Sequence, residues 1–222
     1  MNNSQKSKLF LVLSLHRSGS SATAGVLHHL GVNMGDKLLG ADESNQKGHF
    51  ENLEFQNMNE KILSFVGGKW SKPPSREKII SSDFPIKEIR SFLLTQIKPI
   101  WGLKDPRTTL TFDIWKPYFE EIADVTYIFV WRSLEESICS LSSRDKLDLV
   151  SARTILEFYL NNLNFYRDLV KKENKDVIDI HFNNLLDNPE DLVKQINLRI
   201  NQKQDQNLDL IKQFLDKRLK HF

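Results

Sequence analysis

The chain has 222 residues, 40% of them hydrophobic and 27% charged, a balance that fits one globular domain, residues 1–222, and excludes collagen-like, low-complexity and disordered chains. Its 31 basic and 29 acidic residues leave a net charge of only +2 and form no basic block, so composition gives nucleic-acid binding no support. A single cysteine, Cys139, excludes an intrachain disulfide framework and a cysteine-based zinc site, and points to a reducing, cytoplasmic setting.

Lys6 and Lys8, the apolar run from Leu9 to Leu13, and Ala22-Thr23-Ala24 together imitate a secretory signal. The run is short and is cut by His16 and Arg17, so it reads instead as a buried first strand, Leu9–Leu15, of a parallel sheet. No stretch approaches the roughly 18 apolar residues needed to span a bilayer.

Helical spacing from Ser20 to Leu30 stops at Gly31, and residues 33–52 are polar and turn-rich, a loop long enough to suggest function. Helices are expected over Glu54–Phe65 and Pro85–Ile97. A short strand, Ile100–Leu103, runs into Lys104-Asp105-Pro106-Arg107, and a helix follows over Leu110–Ile122. Val125–Trp131 is the clearest β-run. Ser133 and Glu136 form a capping box for the next helix, in which Cys139 is expected to be buried. Leu149–Lys172 is a long amphipathic helix, Val177–His181 a fourth strand, and Asn188-Pro189 the start of a further helix with Asn as cap. From Asn201 the chain is polar and then helical to Phe222. Strands alternating with helices predict an α/β three-layer sandwich around a central parallel sheet.

The chemistry begins at His16-Arg17-Ser18-Gly19-Ser20-Ser21, where a strand ends, a small-residue turn follows and a helix starts. Backbone N–H groups at a helix start, with the positive end of its dipole, make an anion site. Gly19 lets the backbone approach closely, Ser18, Ser20 and Ser21 add hydroxyls, and Arg17 adds a fixed charge suited to phosphate. Against the ATP/GTP loop G-x-x-x-x-G-K-[ST], Ser14 stands at the first glycine, Gly19 at the second, Ser20 at the lysine and Ser21 at the magnesium-binding hydroxyl. The loop suits an anion but suits a magnesium-bound triphosphate poorly. Arg132 ends the Val125–Trp131 strand, where ligands bind in open α/β sheets, and Ser137, Ser140 and Arg144 share one stripe of the next helix. The bland alternatives are a serine-capped helix and an Arg132 paired with Glu135 or Glu136.

In combination these pieces resemble the sulfotransferase superfamily, which moves a sulfuryl group from 3′-phosphoadenosine 5′-phosphosulfate (PAPS) to an acceptor. His16–Ser21 is similar to that family's P-x-S-G-T-[ST] loop, with His for Pro and Ser for Thr, and Arg132 with Ser140 matches its arginine and serine for the 3′-phosphate. Asn45–Glu51, Lys104–Arg107 and Asn184–Glu190 resemble the bacterial branch. The resemblance implies a P-loop sulfotransferase-like fold, PAPS as co-substrate with no metal, and a sugar, lipid, peptide or small-molecule acceptor presenting a hydroxyl or amine. It implies Arg17, Ser18, Gly19, Ser20, Ser21, Arg132 and Ser140 as the donor site, and Lys104 beside the transferring group.

The family's C-terminal R-K-G-x-x-G-D-W-K loop is absent, with Lys217, Arg218 and Lys220 as the nearby cations, and no K-T-H histidine follows the Ile100–Leu103 strand. The base is therefore assigned to Glu51, with His49 second, while a capping role for Glu51 on the next helix is the structural alternative. Arg107 and Asp105 can serve the acceptor or simply pair with each other. Trp70, Trp101, Trp115 and Trp131 read as core, Trp70 being the one placed to do more. The competing functions are a P-loop nucleotide kinase or hydrolase and a catalytically silent nucleotide-binding module.

Overall fold

A computed structural model describes residues 6–43 and 45–215. Four parallel strands, β1 (Ser7–Ser14), β2 (Ile100–Lys104), β3 (Ala123–Trp131) and β4 (Asp176–His181), form one sheet in the order β2-β1-β3-β4. Both faces of β1 are apolar: Leu9, Leu11 and Leu13 point to one side, Phe10 and Val12 to the other. A strand patterned this way must be covered on both faces, and the helices do so.

On the leucine side lie α2 (Leu53–Phe65), α3 (Arg76–Ile80), α4 (Ile86–Gln96), α5 (Thr108–Ile122), α6 (Leu134–Asp145) and α7 (Leu149–Lys172), packed through residues such as Phe55, Phe92, Trp115 and Tyr166. On the other lie α1 (Ser20–His29), α8 (Phe182–Asp187), α9 (Glu190–Arg199) and α10 (Leu208–Phe214), packed through Leu27, Phe182, Ile196 and Ile211. The result is the three-layer α/β sandwich the sequence predicts. The chain leaves β1 toward β2, then returns across β1 to β3, with α1 and α5 on opposite faces. A crevice therefore opens at the carboxyl ends of β1 and β3, the usual ligand position in such sheets.

Several local expectations need correction. α3 and α8 are too short to leave a periodic signal, and neither is predicted. α9 is capped at Pro189 instead of Asn188, because Asn188 closes the preceding helix, its N–H donating to the Asn184 carbonyl at 2.7 Å. The Ser133 hydroxyl accepts from the Glu136 N–H, but the Glu136 side chain turns to Arg132, so only half of the capping box forms. Cys139 is exposed, since Ile138 and Leu141 take the core-facing side of α6. Lys217, Arg218 and Lys220, with the end of the predicted last helix, lie outside the described residues.

Residues 33–52 fold back on themselves. The Leu39 N–H donates to the Glu51 carbonyl at 2.7 Å and the Leu53 N–H to the Lys37 carbonyl at 2.9 Å, so the polar loop is an arm returning beside its own start. The fully buried Asn59 on α2 then ties this layer to β2 and α5. Its amide nitrogen donates to Asp105 (2.8 Å) and Thr108 (3.2 Å), and its oxygen accepts from Thr111 (2.7 Å) and Trp115 (2.8 Å). Asn59→Ala strands several buried partners at once, so unfolding free energy should fall by about 3 kcal/mol or more. A lowered urea midpoint with unchanged slope is the expected measurement.

Candidate active site

The loop after β1 makes its turn with two left-handed residues, Arg17 (φ 63°) and Gly19 (φ 91°), before α1 starts at Ser20. Gly19 caps the helix and offers no side chain to its N–H groups, which leaves them facing the cleft. A Cβ on Gly19 would stand 2.1 Å from the Phe182 ring, so glycine is required on both counts. Ser20 and Ser21 border the cleft. The Ser18 hydroxyl does not: it is buried and donates to the Leu15 carbonyl at 2.9 Å, closing the loop on itself. Ser18 therefore shapes the loop, and only its backbone remains available to an anion.

Cations converge on this helix start from three elements. Arg17 donates from Nε to the Ser140 hydroxyl at 2.9 Å. Arg132, beyond the end of β3, donates to the Arg17 carbonyl at 3.1 Å and pairs with Glu136 at 2.9 Å. Arg144, paired with Asp145, borders the same cleft. Burial, then repulsion from Arg144 and Arg132, lowers Arg17 to about 10. Crowding of this kind is relieved by a bound anion.

The third cation is Lys104, at the carboxyl end of β2 and buried. Its Nζ donates to Glu51 Oε1 at 2.6 Å, to the Ser21 hydroxyl at 3.2 Å and to the His49 carbonyl at 3.3 Å. Glu51 also faces Arg107 at 3.9 Å. Burial alone would raise the Glu51 carboxyl; Lys104 and then Arg107 outweigh it and hold the group below its ordinary value. Asp105 is fully buried and accepts from Arg107 at 2.9 Å, and burial pushes its carboxyl up to about 6. The salt-bridged Asp105–Arg107 turn is therefore present, and through Arg107 it also touches Glu51. Asn52 caps α2, accepting from the N–H groups of Glu54 and Phe55, so the capping alternative for Glu51 does not apply. His49 donates or accepts at Nε2 with Asp42, 2.9 Å away.

A second, larger cavity of about 590 Å³ meets the cleft at His16, His49, Glu51 and Arg144 and is bordered further out by Trp70. Trp101 and Trp115 are core, as expected.

No family model matches the chain, and no curated protein does. Three solved structures are similar across nearly all of it. Sulfotransferase STF1 from Mycobacterium tuberculosis H37Rv matches at TM-score 0.59 and 11% identity, over 94% of this chain and 71% of that one. Sulfotransferase STF9 from Mycobacterium avium matches at 0.54 and 13%, over 93% and 67%. The sulfotransferase domain of the Synechococcus PCC 7002 olefin synthase matches at 0.51 and 17%, over 98% and 90%.

The chain has the sulfotransferase fold.

Within that fold, the residues singled out in the sequence stand close together: Arg17, Gly19, Ser20, Ser21, His49, Glu51, Lys104 and Arg132 all border one cleft, and Ser140 stands behind Arg17. Sequence reasoning passed over His16, which a run of apolar residues and a glycine turn disguise as a loop substitution, although it borders both cavities. Among the described residues no group of three His, Cys, Asp or Glu side chains is placed to hold a metal.

The pairing with Lys104 sets a stability prediction. Glu51→Gln leaves a buried ammonium without its counter-charge, which should cost about 3–5 kcal/mol at neutral pH. A carboxyl lowered on folding contributes fully above its free value of 4.5 and loses that contribution as pH falls through its folded value. The gap between wild type and Glu51→Gln should therefore be widest near pH 7 and close below pH 4.5, in denaturant titrations at each pH. Adding Lys104→Met should recover much of the loss.

Proposed function

We propose that this protein is a sulfotransferase, residues 1–222 acting as one domain that moves a sulfuryl group from PAPS to a hydroxyl or amine acceptor. The observation that carries the reading is the meeting of Arg17, Arg132 and Lys104 on one uncapped helix start, in a chain with the sulfotransferase fold. Cations from three separate strand ends suit a ligand with several anionic groups. In this reading the N–H groups of residues 19–21 and Arg17 hold the 5′-phosphosulfate, while Arg132 and Ser140 hold the 3′-phosphate. The Arg17–Ser140 bond links the two halves.

PAPS supplies a sulfate already activated as a mixed anhydride, and no metal is needed to make it a donor. The chain's own groups then have three tasks. The loop and its arginines bind and align the donor for in-line transfer. Lys104 offsets the charge that grows on the bridging oxygen as the bond to sulfur breaks. Glu51, ionised at neutral pH and bordering both cavities, takes the acceptor's proton, while Arg107 and Lys104 hold its carboxylate in place. His49, oriented by Asp42, is the second candidate for that proton.

Calorimetry tests the donor. 3′-Phosphoadenosine 5′-phosphate should bind without metal and more tightly than ATP with magnesium, and Arg132→Ala should weaken it about ten- to a hundredfold while melting stays near wild type. Magnesium-dependent ATP binding with no affinity for the bisphosphate would instead favour a nucleotide kinase or hydrolase. For the base, Glu51→Gln assayed below its own melting temperature should lose about a hundredfold or more in turnover and keep its affinity for the bisphosphate. Full turnover in that variant would move the assignment to His49. Bisphosphate binding with no turnover in the wild type would mark a silent binding module.

A further inference from the structure

The larger cavity raises the question of what the donor's sulfuryl group is given to. Its volume, about 590 Å³, falls within the range of small-molecule sites, and it joins the anion cleft at Glu51 and His16. His16 is nearly inaccessible and is held from behind. The Tyr159 hydroxyl has one proton, which it donates to the Trp70 carbonyl at 3.2 Å; the His16 Nε2 contact with the same hydroxyl, at 3.3 Å, is then satisfied only with the proton on Nε2. That tautomer leaves Nδ1 as a hydrogen-bond acceptor, with no protein partner among the described residues and not sealed from the cavities His16 borders. Burial and then the surrounding cations Arg107, Arg144, Lys104 and Arg17 lower the imidazole well below its ordinary value, so the lone pair persists at neutral pH.

The remaining wall has a matching character. Carboxylates of Asp42, Glu43 and Asp145 border it beside the Gln56 amide, and among the described lining residues only Leu39 and Trp70 are apolar. Charges on the wall are near balance: Arg107 and Arg144 stand among the carboxylates, and Lys104 pairs with Glu51 from behind. A full cation would meet the guanidiniums and an anion the carboxylates, while a flat apolar phenol would leave most of these acceptors unpaired. A neutral molecule rich in O–H donors satisfies them, with the part-buried Trp70 indole as a flat apolar surface for its carbons.

Resting on the sulfotransferase reading, we propose that this cavity takes an uncharged polyhydroxylated acceptor of the sugar type, with one hydroxyl held by His16 Nδ1 and its neighbour presented to Glu51. The step balances: the acceptor oxygen forms a bond to sulfur, its proton passes to Glu51, and the sulfur–oxygen bond to the donor's 5′-phosphate breaks with the electron pair leaving on that phosphate.

The test is transfer from sulfur-labelled PAPS to three probes at equal concentration: maltose, ethanolamine and 4-nitrophenol. Maltose should be favoured by about a hundredfold or more in kcat/KM, since sites built from hydrogen-bond acceptors reject ligands that cannot fill them. His16→Phe should raise the KM for maltose about tenfold or more, with the dissociation constant for 3′-phosphoadenosine 5′-phosphate within about twofold of wild type. If His16→Phe does not fold by circular dichroism, Trp70→Leu is read in the same way. Preference for the phenol or the amine, transfer to none of the three by protein that binds the bisphosphate, or an unmoved KM in the folded variant would overturn the assignment. Failure to bind the bisphosphate at all would strike the sulfotransferase reading instead.

Discussion

The rest of the site depends on the buried ion pair between Lys104 and Glu51. A lysine at the end of an interior strand cannot stay charged without partners, and Lys104 finds them in three places: the start of α1, the backbone at His49 and the carboxylate of Glu51. Two of the three belong to the arm at residues 33–52, which has little apolar surface of its own. The arm is therefore fixed by backbone pairing at Leu39 and Glu51 and by one buried charge contact. Such a pair adds little to net stability once desolvation is counted, but breaking one half of it is expensive. Its effect is positional: it brings His49, Asn45 and Glu51 to the phosphate loop.

Behind that pair the charges alternate. Asn59 holds Asp105, Asp105 holds Arg107, Arg107 faces Glu51, and Glu51 holds Lys104. Each group is oriented by the next, so the carboxylate and the ammonium at the cleft have little freedom to reorganise, the condition under which fixed charges act most strongly on a reacting group. The opposite wall is different in kind. Arg17, Arg132 and Arg144 are close enough to lower one another, and Arg17 is already at about 10. One side of the cleft is balanced and rigid, and the other holds an excess of positive charge toward an incoming anion.

The sheet was legible because its signals are local: Val125–Trp131 is a continuous β-run, and the glycine turn after the first strand has few other meanings. The long helix Leu149–Lys172 was read to the residue, since its apolar stripe is continuous and Asp148 caps it. The choice of partner by a polar side chain is not local. Nothing near Ser18 says that its hydroxyl closes its own loop, and nothing near Glu51 says that Asn52 will take the cap and free the carboxylate for a strand half the chain away. His16 was passed over for the same reason. Its meaning depends on Tyr159 and Trp70, two residues from distant elements that set its tautomer.

The missing lysine of the phosphate loop has a structural answer that bears on metal. In loops that hold magnesium nucleotides, a lysine at the position of Ser20 reaches the phosphates and a hydroxyl at the position of Ser21 meets the metal. Here the lysine comes from β2, and its Nζ donates to the Ser21 hydroxyl itself at 3.2 Å. A fixed ammonium thus occupies the neighbourhood that a divalent ion takes in those loops, and Glu51 keeps it there. The hydroxyl is committed to a protein cation, and bringing a metal to it would require displacing a buried lysine from its counter-charge. Moving the cation from the loop to the neighbouring strand therefore suits the site to a ligand that arrives without a metal, and ties the charge beside the anion to the arm that carries Glu51.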